Sequence, residues 1–261
     1  MAAPTAVGKT AIAECVMAYH VLTGGTAAYV CPFRAIANEK EKAWAGSPLA
    51  KNGMSVWSGE SDDREERKFV VSTLESFDFA LKSGAHQEWL KSLDCIVADE
   101  AHIIGDKTRG SVLENIFMEI SEINPKCRLV SLSATLGNCR DFAAWIKSLN
   151  GKTTKCISSN WRPIDVDYRI RPVGNYAEKI DVAVDLAAEE PDVKTILFVQ
   201  SKKSGKEVLE RLRKMGIRSV FHNASVKPNI RKKMEEEFND PFSGLNVMVS
   251  TGTLGAGVNV G

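Results

Sequence analysis

Short apolar runs of four or five residues recur along the chain, and they limit its fold more than any other feature. Ala27-Ala28-Tyr29-Val30-Cys31, Phe69-Val70-Val71-Ser72, Cys95-Ile96-Val97-Ala98-Asp99 and Arg128-Leu129-Val130-Ser131-Leu132 lie in the first half. Thr195-Ile196-Leu197-Phe198-Val199, Arg218-Ser219-Val220-Phe221 and Val247-Met248-Val249-Ser250 lie in the second. Runs this short and this uninterrupted suit parallel strands buried on both faces. The segments between them carry helical spacing. Phe142, Trp145, Ile146 and Leu149 fall at i, i+3, i+4 and i+7 before a stop at Gly151. Ser201 can cap a helix that places Leu209, Leu212 and Met215 on one side and ends at Gly216. Ile230, Met234 and Phe238 repeat every four residues after Pro228. Strands alternating with helices predict an α/β fold built on an open parallel sheet. The pattern breaks between Ser158 and Pro172, which reads as a crossover between two α/β domains.

Composition excludes several alternatives. The chain has 261 residues, 44% apolar and 26% charged, with a formal net charge of +1. That balance opposes whole-chain disorder, and no apolar run is long enough to span a bilayer. The Met1-Ala2-Ala3-Pro4 start lacks the basic and apolar regions of a secretory signal, so a cytoplasmic protein without membrane attachment is expected. A near-neutral chain has no global attraction for polyanions, so any such site must be a local basic patch. The six cysteines show no metal-ligand spacing and read as reduced thiols, with Cys15, Cys31, Cys95 and Cys127 inside apolar runs as small buried hydrophobes.

Three clusters carry chemistry. Gly8-Lys9-Thr10 opens a helical stretch after the small-residue loop Ala3-Pro4-Thr5-Ala6-Val7. Small residues let backbone N–H groups approach phosphates, a lysine adds a point charge, and a hydroxyl can reach Mg²⁺. The tripeptide alone fits an ordinary helix start equally well, and Ala3 stands where a strict phosphate loop has glycine. Asp99-Glu100-Ala101-His102 follows an apolar run. A carboxylate at the C-terminal end of a parallel strand lies beside the crevice where such sheets bind ligands. Asp99 there can hold hydrated Mg²⁺, and Glu100 can deprotonate an attacking water. Ser133-Ala134-Thr135 follows another run, where its hydroxyls could equally cap a helix.

Taken in order, these segments resemble the motifs of superfamily-two DExH-box helicases. Pro4 to Thr10 is similar to motif I, Pro32-Phe33-Arg34-Ala35-Ile36-Ala37-Asn38-Glu39-Lys40 to motif Ia, and Ser72-Thr73-Leu74-Glu75 to motif Ib. Asp99 to His102 is similar to motif II, Ser133 to Thr135 to motif III, Phe198 to Ser204 to motif IV, and Thr251 to Asn259 to motif V. The superkiller-like branch, which includes archaeal repair DNA helicases, matches best. Its signals are the run after Arg34, Arg109-Gly110, Ser159-Asn160-Trp161-Arg162-Pro163 and Phe221-His222-Asn223-Ala224.

The resemblance implies two RecA-like parallel-sheet domains in tandem: 1–158 as the ATP-binding domain, 159–175 as the crossover, and 176–261 as part of the second. It implies ATP and Mg²⁺ as cofactors, with Thr5, Ala6, Val7, Gly8, Lys9, Thr10, Gly255 and Gly257 around the nucleotide and Thr10 and Asp99 on the metal. Glu100 would be the base, and His102, Ser133 and Thr135 would couple nucleotide state to strand grip. Arg34, Thr73, Gln200, Ser201 and Thr251 would touch single-stranded nucleic acid, DNA in preference to RNA, on a monomeric protein. The likeness is cut at both ends, before the strand that feeds motif I and before motif VI, so weak ATPase is expected of these residues alone. An RNA helicase of the same branch, a silent binding fragment and a small-molecule kinase are the competing readings. The charges on the second-half helices fit solvated faces as well as a nucleic-acid patch, since glutamates interleave with them. Trp57, Trp89 and Trp161 suit packing better than base stacking.

Overall fold

The computed structural model describes residues 1–4, 7–51, 53–59, 66–84, 86–134, 136–252 and 254. It divides into two compact units, Met1–Val166 and Asp167–Gly261.

The first unit is built on five parallel strands in the order β2-β3-β1-β4-β5. They are β1 (Ala27–Cys31), β2 (Met54–Trp57), β3 (Phe69–Thr73), β4 (Cys95–Ala98) and β5 (Arg128–Ser131). Side chains alternate across a strand, and here both faces are apolar. Ala28, Val30, Val70, Ile96 and Ala98 face a core that contains Trp57, Phe77, Leu113 and Phe117. Ala27, Tyr29, Cys31, Phe69, Val71, Cys95 and Val97 face a second core with Met17, Trp44 and Leu49. Two covered faces are the physical reason why these strands read as unbroken apolar runs. Helices α1 (Lys9–Leu22), α2 (Arg34–Trp44) and α3 (Pro48–Lys51) contribute to the Met17 side. Helices α4 (Leu74–Ser83), α5 (Gln87–Lys91), α6 (Gly110–Ile123) and α7 (Cys139–Asn150) contribute to the other.

In the second unit β6 (Thr195–Phe198), β7 (Ser219–His222) and β8 (Val247–Ser250) form a parallel sheet in the order β6-β8-β7. Helices α8 (Tyr176–Glu189), α9 (Lys202–Lys214) and α10 (Pro228–Asn239) flank it in sequence. Ile180, Val184, Val208, Leu212 and Phe221 share one apolar cluster with Val247 and Val249.

Several expectations need correction. Strand β2 is absent from the sequence reading because Met-Ser-Val-Trp alternates in burial and has no continuous apolar run. Burial on both faces holds for β1, β3, β4 and β8, whereas β5 and β6 are only partly covered. The buried side of α9 is Gly205, Val208 and Leu212; Met215 lies beyond its last turn and is exposed. Of the spaced trio on α10 only Phe238 is buried. The thiols are not all reduced, for Cys139 and Cys156 are joined with Cα atoms 5.9 Å apart. They lie 17 residues apart in sequence, and the chain returns after α7 to bring them together. Cys15 is exposed on α1, not buried. Trp57 and Trp89 are buried, while Trp161 is exposed. Among the described residues no helix is long and apolar enough to cross a membrane.

Candidate functional site

Residues 1–3 run beside the C-terminal end of β5. Ala2 bridges in parallel to both Ser133 and Ser158, and Ala3 N donates to Ser133 O at 3.1 Å. The chain is thereby carried to the same sheet edge as Asp99 before α1 begins. Gly8, with φ +86°, is the N-cap of α1 and turns the backbone into the helix, a conformation only glycine adopts freely. Lys9 folds back so that Nζ donates to Ala3 O at 2.9 Å and Pro4 O at 2.8 Å. Burial lowers its pKa, and the Glu100 and Asp99 carboxylates oppose that shift. The lysine and both acids therefore share one electrostatic neighbourhood. Val7 and Thr10 lie on the same loop and first helical turn; Thr5, Ala6 and Thr135 fall outside the described residues.

Asp99 continues the line of β4, its N–H donating to Val30 O at 2.8 Å. One carboxylate oxygen accepts from the Glu100 N–H at 2.9 Å, and the other accepts from the Tyr29 hydroxyl. Tyr29 is fully buried on β1, and burial together with the adjacent carboxylate raises its pKa well above the ordinary phenol value. Tyr29 thus remains a proton donor that fixes one Asp99 oxygen. The motif reading missed it; the only signal was a hydroxyl inside an otherwise apolar run.

Glu100 is the one non-glycine residue at positive φ among the described residues, with φ 51° and ψ 42°. A left-handed glutamate costs about 1–3 kcal/mol, and such strain collects at functional sites. The turn directs the chain from β4 into a short 3-10 segment, Ala101–Gly105, anchored by Ala101 N to Leu132 O at 2.8 Å. Burial raises the Glu100 carboxyl pKa, Asp99 adds to the rise, and His102 and Lys9 oppose it. Glu100 Oε2 is buried without a hydrogen-bond partner, although His102 Nδ1 stands 3.3 Å away at ion-pair distance. The same Nδ1 lies 3.4 Å from Ser133 Oγ. His102 consequently links the acid at the end of β4 to the hydroxyl at the end of β5.

A concavity in this unit holds about 510 Å³ and is lined by Arg34, Thr73 and Arg109, among others. Three helices begin at it: α2 after Phe33, α4 after Thr73 and α6 after Arg109. Each helix start carries a partial positive charge that favours anions. Thr73 is itself buried; its hydroxyl accepts from Ser76 N at 3.3 Å, so it caps α4. Gly59 has φ +90°, and a Cβ there would come within 3.0 Å of the Arg34 guanidinium. Its lack of a side chain keeps this cleft open, a role the sequence reading did not assign.

In the second unit Gln200 and Ser201 follow β6, and Thr251 follows β8. Phe198 pairs with Ser250, so these three residues meet at one end of the sheet. Ser201 Oγ accepts from Ser204 N at 3.1 Å and caps α9. Gly255 and Gly257 lie outside the described residues. His222 is buried with Nε2 2.8 Å from Glu235, a packed histidine. Among the described residues, three basic side chains of α9 and α10 have acidic partners: Arg211 with Glu207, Lys214 with Glu210 and Lys232 with Glu236. Solvated helix faces account for these three.

Residues 1–142 match the DEAD/DEAH box helicase family, and residues 178–261 match the helicase conserved C-terminal domain. The ATP-dependent DNA helicase Hel308 of Methanocella arvoryzae is 28% identical over 99% of this chain and 41% of its own length. The chain spans less than half the length of the curated relatives it is compared with. Among solved structures, the DUF1998 helicase MrfA bound to DNA and AMPPNP aligns with a TM-score of 0.76 at 18% identity, over 100% of this chain and 40% of that one. Dbp5 of S. cerevisiae, bound to RNA and ADP BeF3, aligns with a TM-score of 0.67 at 18% identity, over 99% and 66%. These structural likenesses bear out the fold of two parallel-sheet RecA-like units. With Lys9 and the Asp-Glu-Ala-His turn in electrostatic range of one another in the first unit, and both helicase domains matched in order, the chain belongs to the DEAD/DEAH box helicase family.

Proposed function

We propose that the chain is the core of an ATP-dependent helicase that couples ATP hydrolysis to movement along single-stranded DNA. The observation that carries this reading is Glu100. It is held in a strained turn between Asp99 and His102, within electrostatic range of Lys9.

Lys9 and the start of α1 would receive the ATP phosphates, for which Lys9 exchanges its present carbonyl partners. Asp99 and Thr10 are hard oxygen donors suited to Mg²⁺, which typically takes one or two protein carboxylates plus phosphate and water. Glu100 Oε2 is buried, accepts no hydrogen bond and has only the His102 ring at ion-pair distance, which fits a base able to take a proton from water. Bound Mg²⁺ would neutralise charge on the transferring phosphoryl group. Glu100 would accept the proton of the water that attacks the γ-phosphorus as the bond to the β,γ-bridging oxygen breaks. Its raised pKa makes it a stronger base than an exposed glutamate. Transfer changes the charge on Glu100, His102 carries that change to Ser133, and the end of β5 becomes the route by which nucleotide state reaches the strand.

Arg34 and the helix starts around Thr73 would hold the strand by its phosphates, contacts that tolerate any base sequence. Gln200, Ser201 and Thr251 would supply the second unit's track. The Hel308 relatives are named as DNA helicases, which supports DNA as the substrate.

Glu100→Gln tests the reading. Turnover should fall by about 10²–10⁴-fold, the range of a general base, while a fluorescent ATP analogue still binds. Unchanged turnover would remove Glu100 from the reaction and this reading with it.

A further inference from the structure

Arg109 entered the sequence reading only as half of a dipeptide, with no role. The structure places its guanidinium in the 510 Å³ cleft with Arg34, Thr73 and Phe79. Its Cζ lies 4.7 Å from the centre of the Phe33 ring, and its Nε donates to Glu75 Oε1 at 3.0 Å. Stacking on Phe33 fixes the plane of the guanidinium, as aromatic faces do for arginine. The Glu75 contact uses one of its five N–H donors; among the described residues no other hydrogen bond from this side chain is present. Glu75 is exposed, on the first turn of α4. Its carboxylate therefore sits against Arg109 in a cleft that Arg34 also lines, beside three helix starts, where a phosphate would bind.

We propose that Arg109 is a phosphodiester ligand of the single-strand track and that Glu75 masks it until a strand arrives. This rests on the reading of the cleft as that track. Strand phosphate displaces the Glu75 carboxylate from Arg109, while the Phe33 ring holds the guanidinium plane through the exchange. An exposed ion pair is readily exchanged, being worth a factor of about two to five. While no strand is present the mask lowers the positive charge of the cleft and weakens its hold on other polyanions.

The test measures anisotropy of fluorescein-labelled oligothymidylate with the full 261-residue chain across a salt series. Glu75→Gln should tighten binding about two- to five-fold. Arg109→Gln should weaken binding and reduce the salt slope by about 0.7, the value for one single-strand phosphate. Its deficit relative to wild type then shrinks about 2.6-fold between about 50 and 200 mM salt. Glu75→Gln combined with Arg109→Gln should bind like Arg109→Gln alone. Arg109→Lys, which keeps the charge, should keep the slope; it and Glu75→Gln carry the test if Arg109→Gln melts below assay temperature. An unchanged slope in Arg109→Gln, weakened binding in Glu75→Gln, or a slope lost in Arg109→Lys overturns the proposal. Arg34→Gln weakening the complex while Arg109→Gln is silent defeats the mask and leaves the track intact. Absence of salt-dependent binding by the wild-type chain defeats both.

Discussion

Glycine at the fourth position of a thirteen-residue helix is costly, and replacing Gly205 by alanine should on helix propensity alone add about 1 kcal/mol of stability. The structure predicts the opposite sign. A Cβ at 205 would lie 2.2, 2.4 and 2.8 Å from the Cζ, Cε2 and Cε1 atoms of Phe221. Real Cβ atoms do not come this close, so the ring must retreat by about an ångström. It is buried in the apolar cluster that holds Val208, Leu212, Ile180 and Val184, which leaves it little room. Overpacking of this kind costs about 1–3 kcal/mol, and the large overlap argues for the upper part of that range. After the propensity gain, a net loss of about 1–2 kcal/mol remains. For a unit of this size each kcal/mol moves the melting temperature by about 4–8 °C, so Gly205→Ala should melt the second unit roughly 5–15 °C earlier. Circular dichroism with a probe in that unit reads the shift. Phe221→Leu in the Gly205→Ala background should recover part of the loss, because the two changes compete for one space. A melting temperature equal to or above wild type would refute the close-approach argument.

Three further outcomes follow from contacts in the first unit. Tyr29→Phe removes the buried hydroxyl that holds Asp99 and should cost about 1.5–3 kcal/mol, the range for a hydrogen bond to a charged group, measured by urea unfolding. Opening the Cys139–Cys156 bond, which closes a loop spanning 17 residues, should destabilise by about 3 kcal/mol on the chain-entropy model. Cys139→Ser would report this as a lower unfolding midpoint that added reductant does not lower further. Lys9→Ala should abolish binding of the fluorescent ATP analogue yet barely move the melting temperature, since its present bonds reach carbonyls of the adjacent loop.

The fold was legible where local pattern and tertiary environment agree. Strands β1, β3, β4 and β8 have both faces covered, so their side chains are apolar except at the C-terminal ends of β3 and β8, where Ser72, Thr73 and Ser250 are buried, and the runs show it. β2 escaped notice because its polar and apolar residues alternate, a pattern too short to be distinguished from a loop. On α9 the spacing placed Leu212 inside and Leu209 against the same cluster, but it missed Gly205 and Val208, which are buried there, and it counted Met215, which is exposed. Only the position of Phe221 on the neighbouring strand decides that.

For the proposed site, the Gly8-Lys9-Thr10 and Asp-Glu-Ala-His segments stood out in the sequence because phosphate and magnesium chemistry would demand particular groups in a particular order. Sequence order alone could not join Lys9 to residues ninety positions later, nor add Tyr29 to Asp99 from a strand that lies between them in the chain. The sheet does this, since parallel pairing of β1 with β4 and of β4 with β5 carries their C-terminal ends to one edge. In the same way the cleft with Arg34 and Arg109 exists because three separate helices begin beside it. A chain's chemistry is written in its residue types, whereas convergence of distant groups requires strand register and helix packing, which no local pattern contains.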